Sequence, residues 1–229
     1  MRRMPASLPW ILPGLFLAAG GAAGAGELDE ALHRQPVAGN AVSNYEVCAA
    51  CHMPEGWGTV DGEIPQIAGQ HPNVIIKQLA DIRGGNRDNP GMRLFASKEV
   101  IGGPQAIADL AAYIAAMPMT PRTGVGPGSD LQHGAVLYRE HCVRCHGEYG
   151  EGDDARFYPR IQGQHYRYML RQFEWIRDGR RRNANPEMVR QIADFSERDM
   201  KAVIDFASRL RPSPERVAPS VHYSNPDLP

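Results

Sequence analysis

Two short stretches carry most of the information in this sequence: Cys48-Ala-Ala-Cys-His52 and Cys142-Val-Arg-Cys-His146. In both, two thiols lie three positions apart and a histidine follows directly. The chain has 229 residues and four cysteines, all of them in these two stretches. Two copies of so specific a pattern indicate two sites of the same kind in one chain.

The C-x-x-C-H pattern is the attachment signature of haem c. Two thiols on one helical turn can add to the two vinyl groups of one porphyrin, and the next residue is then held beneath the iron. The sequence therefore predicts two covalently attached haem c groups. The residues that would hold them, four cysteines and two proximal histidine ligands, are Cys48, Cys51, Cys142, Cys145, His52 and His146.

Three other interpretations of the cysteines are open. A structural zinc site would bring its two C-x-x-C pairs closer than the 90 residues that separate them here, and it needs no histidine after each pair. A thioredoxin-like redox pair belongs in a βαβ context, and no strand pattern flanks either pair. Two disulfides are the third interpretation, because exported proteins commonly contain them.

The first residues have the pattern of a secretory signal peptide. Arg2 and Arg3 are followed by no charge until Glu27, and an apolar centre leads to Ala23-Gly24-Ala25. A basic start, an apolar centre and an A-x-A ending predict cleavage after Ala25. The alternative is a retained membrane anchor, since 23 uncharged residues could just span a bilayer. No later segment is apolar enough to span, so we expect a soluble, exported protein.

Composition narrows the function classes. Apolar residues make up 42% of the chain and charged residues 22%, which is typical of a globular protein and not of a disordered one. The formal charge of −1 gives no indication of nucleic-acid binding, and no nucleic-acid partner is expected. The 24 glycines and 19 prolines indicate a chain with many loops.

The chain repeats itself around the two motifs. They lie 94 positions apart, and the same offset aligns Pro65-Gln-Ile-Ala-Gly-Gln-His71 with Pro159-Arg-Ile-Gln-Gly-Gln-His165. After a two-residue insertion, Asn89-Pro-Gly-Met92 matches Asn185-Pro-Glu-Met188. This is a tandem duplication with one haem per copy.

The repeat, with the composition, divides the chain into five parts. These are a signal peptide at 1–25, a first domain at 26–117, a Pro/Gly linker at 118–129, a second domain at 130–211 and an irregular tail at 212–229. Apolar residues at helical spacing and the absence of strand signals predict an all-α fold. The expected helices, three in each domain, cover 40–50, 72–83, 104–116, 129–141, 165–178 and 197–210.

The order of these features resembles class I cytochrome c: C-x-x-C-H, a proline 13 positions later, a helix, N-P-x-M and a terminal helix with an aromatic residue. Two such lobes behind a signal peptide are similar to the two-haem cytochrome c4 type of bacterial periplasms. The resemblance implies two tandem class I cytochrome c domains, each wrapped around one covalent haem c.

The resemblance, with the repeat, also implies the sixth iron ligands. Met92 and Met188 follow the same Asn-Pro-x, 41 and 43 residues after the last motif cysteine, and are expected opposite the histidines. A neutral thioether favours ferrous iron and raises the reduction potential. His71 and His165 also repeat, which leaves bis-histidine ligation as the alternative, although their position at a helix start favours a structural role.

Four further residues are implied around the haems. In class I cytochromes a proline carbonyl accepts the other N–H of the axial histidine, which implies Pro65 and Pro159. Arg83 and Arg177, equivalent in the repeat, are candidates to pair with haem propionates. The alternative for both arginines is a solvated position at a helix end.

The implied function is a soluble periplasmic di-haem cytochrome c that carries electrons between a respiratory donor and a terminal oxidase or reductase. The expected partners are redox proteins, with a membrane-bound oxidase or a quinol-oxidising complex as candidates, and no small-molecule substrate. We expect the protein in the periplasm, soluble or peripherally associated with the inner membrane. One alternative is a cytochrome subunit docked to a dehydrogenase, for example a sulfide-oxidising flavoprotein. The other is a two-haem peroxidase, an enzyme that needs an open iron position and so fits two methionine ligands poorly.

Overall fold

A computed structural model describes residues 20–228 of the chain. The described residues form helices joined by loops, with two isolated β-bridges and no β-strand, and the predicted all-α class is confirmed. Among these residues, no helix combines the length and the apolar character that crossing a membrane requires. Residues 1–19 of the predicted signal peptide lie outside the described part of the chain.

The helices of the first lobe follow the prediction closely, with three additions. They are α1 (Gly20–Leu32), α2 (Ala41–His52), α3 (Pro72–Arg83), α4 (Pro90–Arg93), α5 (Lys98–Ile101) and α6 (Pro104–Ala116). Proline is the first residue of three of them, α3, α4 and α6, where its missing N–H costs nothing and its fixed φ suits a helix. That local signal explains why 72–83 and 104–116 are predicted to the residue.

The second lobe repeats the arrangement. Its helices are α7 (Leu131–His141), α8 (Val143–His146), α9 (Tyr166–Arg177), α10 (Pro186–Ile192) and α11 (Glu197–Ala207). A capping box starts α11: the Ser196 side chain accepts from the Asp199 N–H, and the Asp199 carboxylate accepts from the Ser196 N–H.

Each lobe has its own apolar core. In the first lobe α6 packs against α1, α2 and α3, and in the second α11 packs against α7 and α9. Equivalent aromatic pairs join the helix that leads into each haem motif to the last helix of that lobe: Tyr45 with Tyr113, ring centroids 5.3 Å apart, and Tyr138 with Phe206, 5.4 Å apart. Both tyrosine hydroxyls donate to the backbone just after a motif, at 2.9 and 2.8 Å. These pairs fix the motif turns against the cores.

Helix α1 is a feature that the sequence analysis did not anticipate. Leu28, Ala31 and Leu32 pack against the first core. Glu27 forms an ion pair with Arg83 at the end of α3. Helix α1 also contains Ala25, so cleavage at the predicted position would leave the residues from Gly26 onward as its mature part.

The C-terminal tail is irregular apart from a short 3₁₀-helix at Pro214–Arg216, and part of it is buried against the rest of the protein. It crosses the linker through a parallel bridge between Val217 and Met119 and then reaches the first lobe. There the buried Asn225 donates to the Pro54 carbonyl at 2.8 Å and to the Tyr113 hydroxyl at 2.9 Å. The tail therefore ties the end of the chain to the loop that follows the first motif.

Candidate haem sites

The two motif histidines lie at equivalent places, each at the last position of a helix. His52 and His146 are buried, with 5% and 8% of their surface exposed. The Nδ1 atom of His52 lies 2.9 Å from the Pro65 carbonyl oxygen, and that of His146 lies 3.1 Å from the Pro159 carbonyl oxygen. Burial lowers the pKa of both imidazoles, so they are neutral at pH 7. With Nδ1 donating to a carbonyl, Nε2 is the nitrogen left to bind a metal.

The cysteines lie beside these histidines, and no disulfide joins any two of them. Cys51 is exposed, and the other three are partly buried. Within residues 20–228, no three His, Cys, Asp or Glu side chains come together as a metal site, so the described structure gives the zinc interpretation no support. Two thiols and a neutral imidazole on one turn fit a covalently attached haem.

The N-P-x-M segments start short helices. The side chain of Asn89 accepts from the Met92 N–H at 3.3 Å, and that of Asn185 accepts from the Glu187 N–H at 2.8 Å. In both copies the proline is the first helical residue, so each methionine lies on the first turn of α4 or α10. Both methionines are partly buried, and Met188 packs against the second core.

His71 and His165 lie between the lobes. The Nε2 atom of His71 is 2.7 Å from the Glu151 carbonyl oxygen, and that of His165 is 2.8 Å from the Trp57 carbonyl oxygen. These contacts are equivalent in the repeat, and both cross the lobe boundary. Each imidazole therefore has an interface role that explains its repetition without iron ligation.

Two family models match the two lobes. One described as "Cytochrome c" matches residues 36–118, and one described as "Cytochrome C oxidase, cbb3-type, subunit III" matches residues 129–206. A cytochrome c4 of Azotobacter vinelandii is 31% identical over 182 residues, which cover 72% of this chain and 84% of that protein. The chain belongs to the cytochrome c4 family. It is thus a di-haem electron-transfer cytochrome, and the predicted two haem c groups and tandem class I domains are confirmed.

Two further proteins are similar to this chain, one in structure and one in sequence. The reduced cytochrome c4 of Pseudomonas stutzeri has a similar structure, with a TM-score of 0.67 and 25% identity, covering 77% of this chain and 100% of that one. A thiosulfate dehydrogenase electron acceptor of Stutzerimonas stutzeri is 30% identical over 173 residues, 71% of this chain and 78% of that protein.

The two arginines proposed for the propionates of this cytochrome c4 have protein partners. Arg83 donates to the carbonyls of Ala96 at 2.7 Å and Gly102 at 2.9 Å, in addition to its ion pair with Glu27. Arg83 thus connects α3 to α1 and to the loop before α6, and it is not a solvated residue. Arg177 is half-buried at the end of α9 and donates to Asp178 at 3.0 Å.

A different pair of arginines lies at the lobe boundary, and the sequence analysis missed it. Arg87 donates to Gln78 of its own lobe at 2.9 Å and to Gln172 of the other at 3.0 Å. Arg181 donates to the same two oxygens, at 3.1 Å to Gln172 and 3.0 Å to Gln78. Burial and the neighbouring Arg87 lower the pKa of Arg181 to about 10. The offset of 94 that aligns the glutamines also aligns the arginines, and that signal could have identified them.

Proposed function

We propose that this cytochrome c4 carries single electrons in the periplasm from a respiratory donor to a terminal oxidase or reductase. The observation that carries the proposal is the repetition of one ligand set: each lobe offers a buried, neutral histidine held by a proline carbonyl and a methionine on the first turn of an N-P-x-M helix. Two matched sites of this kind suit one-electron transfer at both haems and leave neither lobe with a distinct substrate site.

We propose Met92 and Met188 as the sixth ligands, opposite His52 and His146. When bound, each haem supplies a one-electron couple between ferric and ferrous iron. A histidine and a methionine from each lobe would together leave the iron of that lobe no open ligand position, which supports a carrier over a peroxidase because a peroxidase needs a displaceable ligand. The chain's part is to fix the imidazole through Pro65 or Pro159 and to keep it neutral by burial.

The same proposal includes export and the division of the chain. Removal of residues 1–25 would leave a mature protein from Gly26 onward, with domains at 26–117 and 130–211 joined by the linker at 118–129. Export is supported by the A-x-A pattern before Gly26 and by the oxidising periplasm in which haem c proteins are expected. N-terminal sequencing of the protein purified from periplasmic extract tests it, and a chain that still carries residues 1–25 would contradict it.

A rapid-mixing experiment tests the carrier function. The protein, reduced fully under anaerobic conditions, is mixed with air-saturated membrane vesicles that contain an active terminal oxidase, and re-oxidation is followed at the haem bands. We expect complete re-oxidation of two electrons per chain, with no turnover of hydrogen peroxide. Rapid peroxide turnover by the unmodified protein would contradict the proposal and favour the peroxidase.

A dehydrogenase partner is the second candidate. It is favoured by the 30% identity to a protein named as the electron acceptor of thiosulfate dehydrogenase. Mixing the oxidised cytochrome with such a dehydrogenase and thiosulfate should then reduce both haems at catalytic enzyme concentrations. A chain that stays oxidised under these conditions would exclude this donor and leave the respiratory role in place.

A further inference from the structure

The repeated segments at 65–71 and 159–165 pair with each other across the lobe boundary. The side chain of Gln164 accepts from the Gln66 N–H at 3.1 Å and donates to the Gln66 carbonyl at 2.7 Å. The side chain of Gln70 does the same with Arg160, at 2.9 Å for both bonds. Each glutamine side chain therefore forms two hydrogen bonds with the backbone of one residue in the opposite lobe, and we call such a pair of bonds a clasp. The two clasps are equivalent in the repeat.

The clasped peptide group is the one that holds the iron ligand. The Gln66 N–H and the Pro65 carbonyl belong to the same peptide group, and this carbonyl faces Nδ1 of His52 at 2.9 Å. In the second lobe the Arg160 N–H shares a peptide group with the Pro159 carbonyl, which faces Nδ1 of His146 at 3.1 Å. One peptide thus links each axial histidine to a side-chain amide of the other lobe.

Hydrogen bonds in such a chain strengthen one another. When the peptide N–H donates to an amide oxygen, the carbonyl of that peptide becomes a stronger acceptor. A stronger acceptor on Nδ1–H makes the imidazole more basic and a better donor to iron. Stronger donation stabilises ferric iron, so the bond from the opposite lobe lowers the reduction potential of the haem.

We propose that Gln164 is a positioning residue for His52 and that Gln70 is a positioning residue for His146, so that each lobe tunes the haem of the other. The inference rests on the proposed ligation by these histidines. Gln164 and Gln66 are 8% and 4% exposed, whereas Gln70 is half-buried. Because water competes less at the first clasp, the effect is larger for the first haem.

A redox titration of the holoprotein with Gln164→Met and Gln70→Met tests this assignment. Methionine keeps the length of the side chain and removes both hydrogen bonds. We expect Gln164→Met to raise the midpoint potential of the first haem and Gln70→Met that of the second. The expected size is about a two- to fivefold change in the reduction equilibrium constant, or about 20–40 mV at 59 mV per tenfold. Adding Met188→His, which lowers the midpoint of the second haem, identifies the two waves.

Gln66→Met is the matched control. Its side chain also crosses the boundary, donating to the Gly163 carbonyl and accepting from the Thr120 N–H, but it leaves the peptide clasp in place. We expect it to lower thermal stability as much as Gln164→Met does and to leave both midpoints unchanged.

The inference fails if Gln164→Met moves the wave of the second haem, moves both waves equally or moves neither. It also fails if Gln66→Met raises the midpoint of the first haem as much as Gln164→Met does. The haem content and the iron–methionine band of the unmodified protein test the ligation separately. A wild-type protein without that band would overturn the proposed ligands. A normal band, with each glutamine variant shifting the midpoint of the haem in its own lobe, would overturn only this inference.

Discussion

Replacing Gly69 by alanine would drive a methyl group into Met119, the side chain that fills the space between the lobes. A Cβ built on Gly69 would lie 2.5 Å from Met119 Cγ and 3.0 Å from Sδ. Gly163, the equivalent residue of the second copy, faces the far end of the same side chain, with its Cβ position 2.9 Å from Cε. Met119 is 3% exposed, so it has no free path into solvent.

Gly69→Ala carries two costs in stability, one from the backbone and one from packing. A substitution at a second glycine, Gly85, separates them. Gly69 has φ +69°, and an L-residue in that left-handed conformation costs about 1–2 kcal/mol. Overpacking a well-filled space costs about 1–3 kcal/mol more. Gly85 has φ +73° with no heavy atom within 4 Å of its Cβ position, so Gly85→Ala carries only the backbone cost.

Denaturant unfolding of the holoprotein measures the difference. We expect Gly69→Ala to lower the free energy of unfolding by about 1–3 kcal/mol more than Gly85→Ala does. Adding Met119→Ala to both variants should reduce the excess, because the smaller side chain makes room for the methyl group. Equal losses for the two alanine variants, with no coupling between residues 69 and 119, would refute the packing of Met119 between the lobes.

Two further predictions concern acid stability and the tail. Hydrogen bonds from Ser196 and His133 lower the pKa of Asp199 to about 2, so its stabilisation is present above the pKa of an unfolded aspartate, about 3.9, and is lost as the pH falls through about 2. Asp199→Asn should flatten the loss of stability between pH 4 and pH 2 in denaturant unfolding, and an unchanged slope would show that another carboxylate is responsible. Asn225→Ala should lower the free energy of unfolding by about 1–3 kcal/mol in the same assay because it removes two hydrogen bonds of a buried side chain. His222 lies on the same tail and is exposed, so His222→Ala should cost nothing measurable. Equal losses for the two variants would mean that the tail does not bind the first lobe as described.

Much of the fold is readable from the sequence because its signals are local. Helices at 72–83 and 104–116 have a proline at the first position, and the haem motifs stand at helix ends in both lobes. Helix α1 has no comparable start signal and begins within the predicted signal peptide, at Gly20. The return of the tail depends on Asn225 and Pro54, which are 171 positions apart, and no periodic pattern reports such a contact.

The candidate haem sites likewise combine residues that the sequence identifies with contacts that only the fold reveals. The cysteines and the histidines follow from one motif, and the two proline carbonyls follow from the resemblance to class I cytochromes, so a single sequence suffices to name them. The repeat shows that Gln70 and Gln164 are equivalent, but equivalence does not reveal which residue each contacts. Arg83 illustrates the limit: its equivalence to Arg177 in the repeat makes it a candidate for a propionate partner, whereas its neighbours in space are Glu27, Ala96 and Gly102.

The weak far-red absorption band of oxidised protein tests the proposed pair of histidine–methionine haems most directly. This band reports iron–methionine bonding, and its intensity per chain counts the bonds. Met92→Ala and Met188→Ala should each remove about half of it, because each lobe contributes one bond. Met53→Ala changes an exposed methionine directly after His52 and should leave the band at full strength. A band that stays at full strength in either of the first two variants would show that the methionine of that lobe is not an iron ligand.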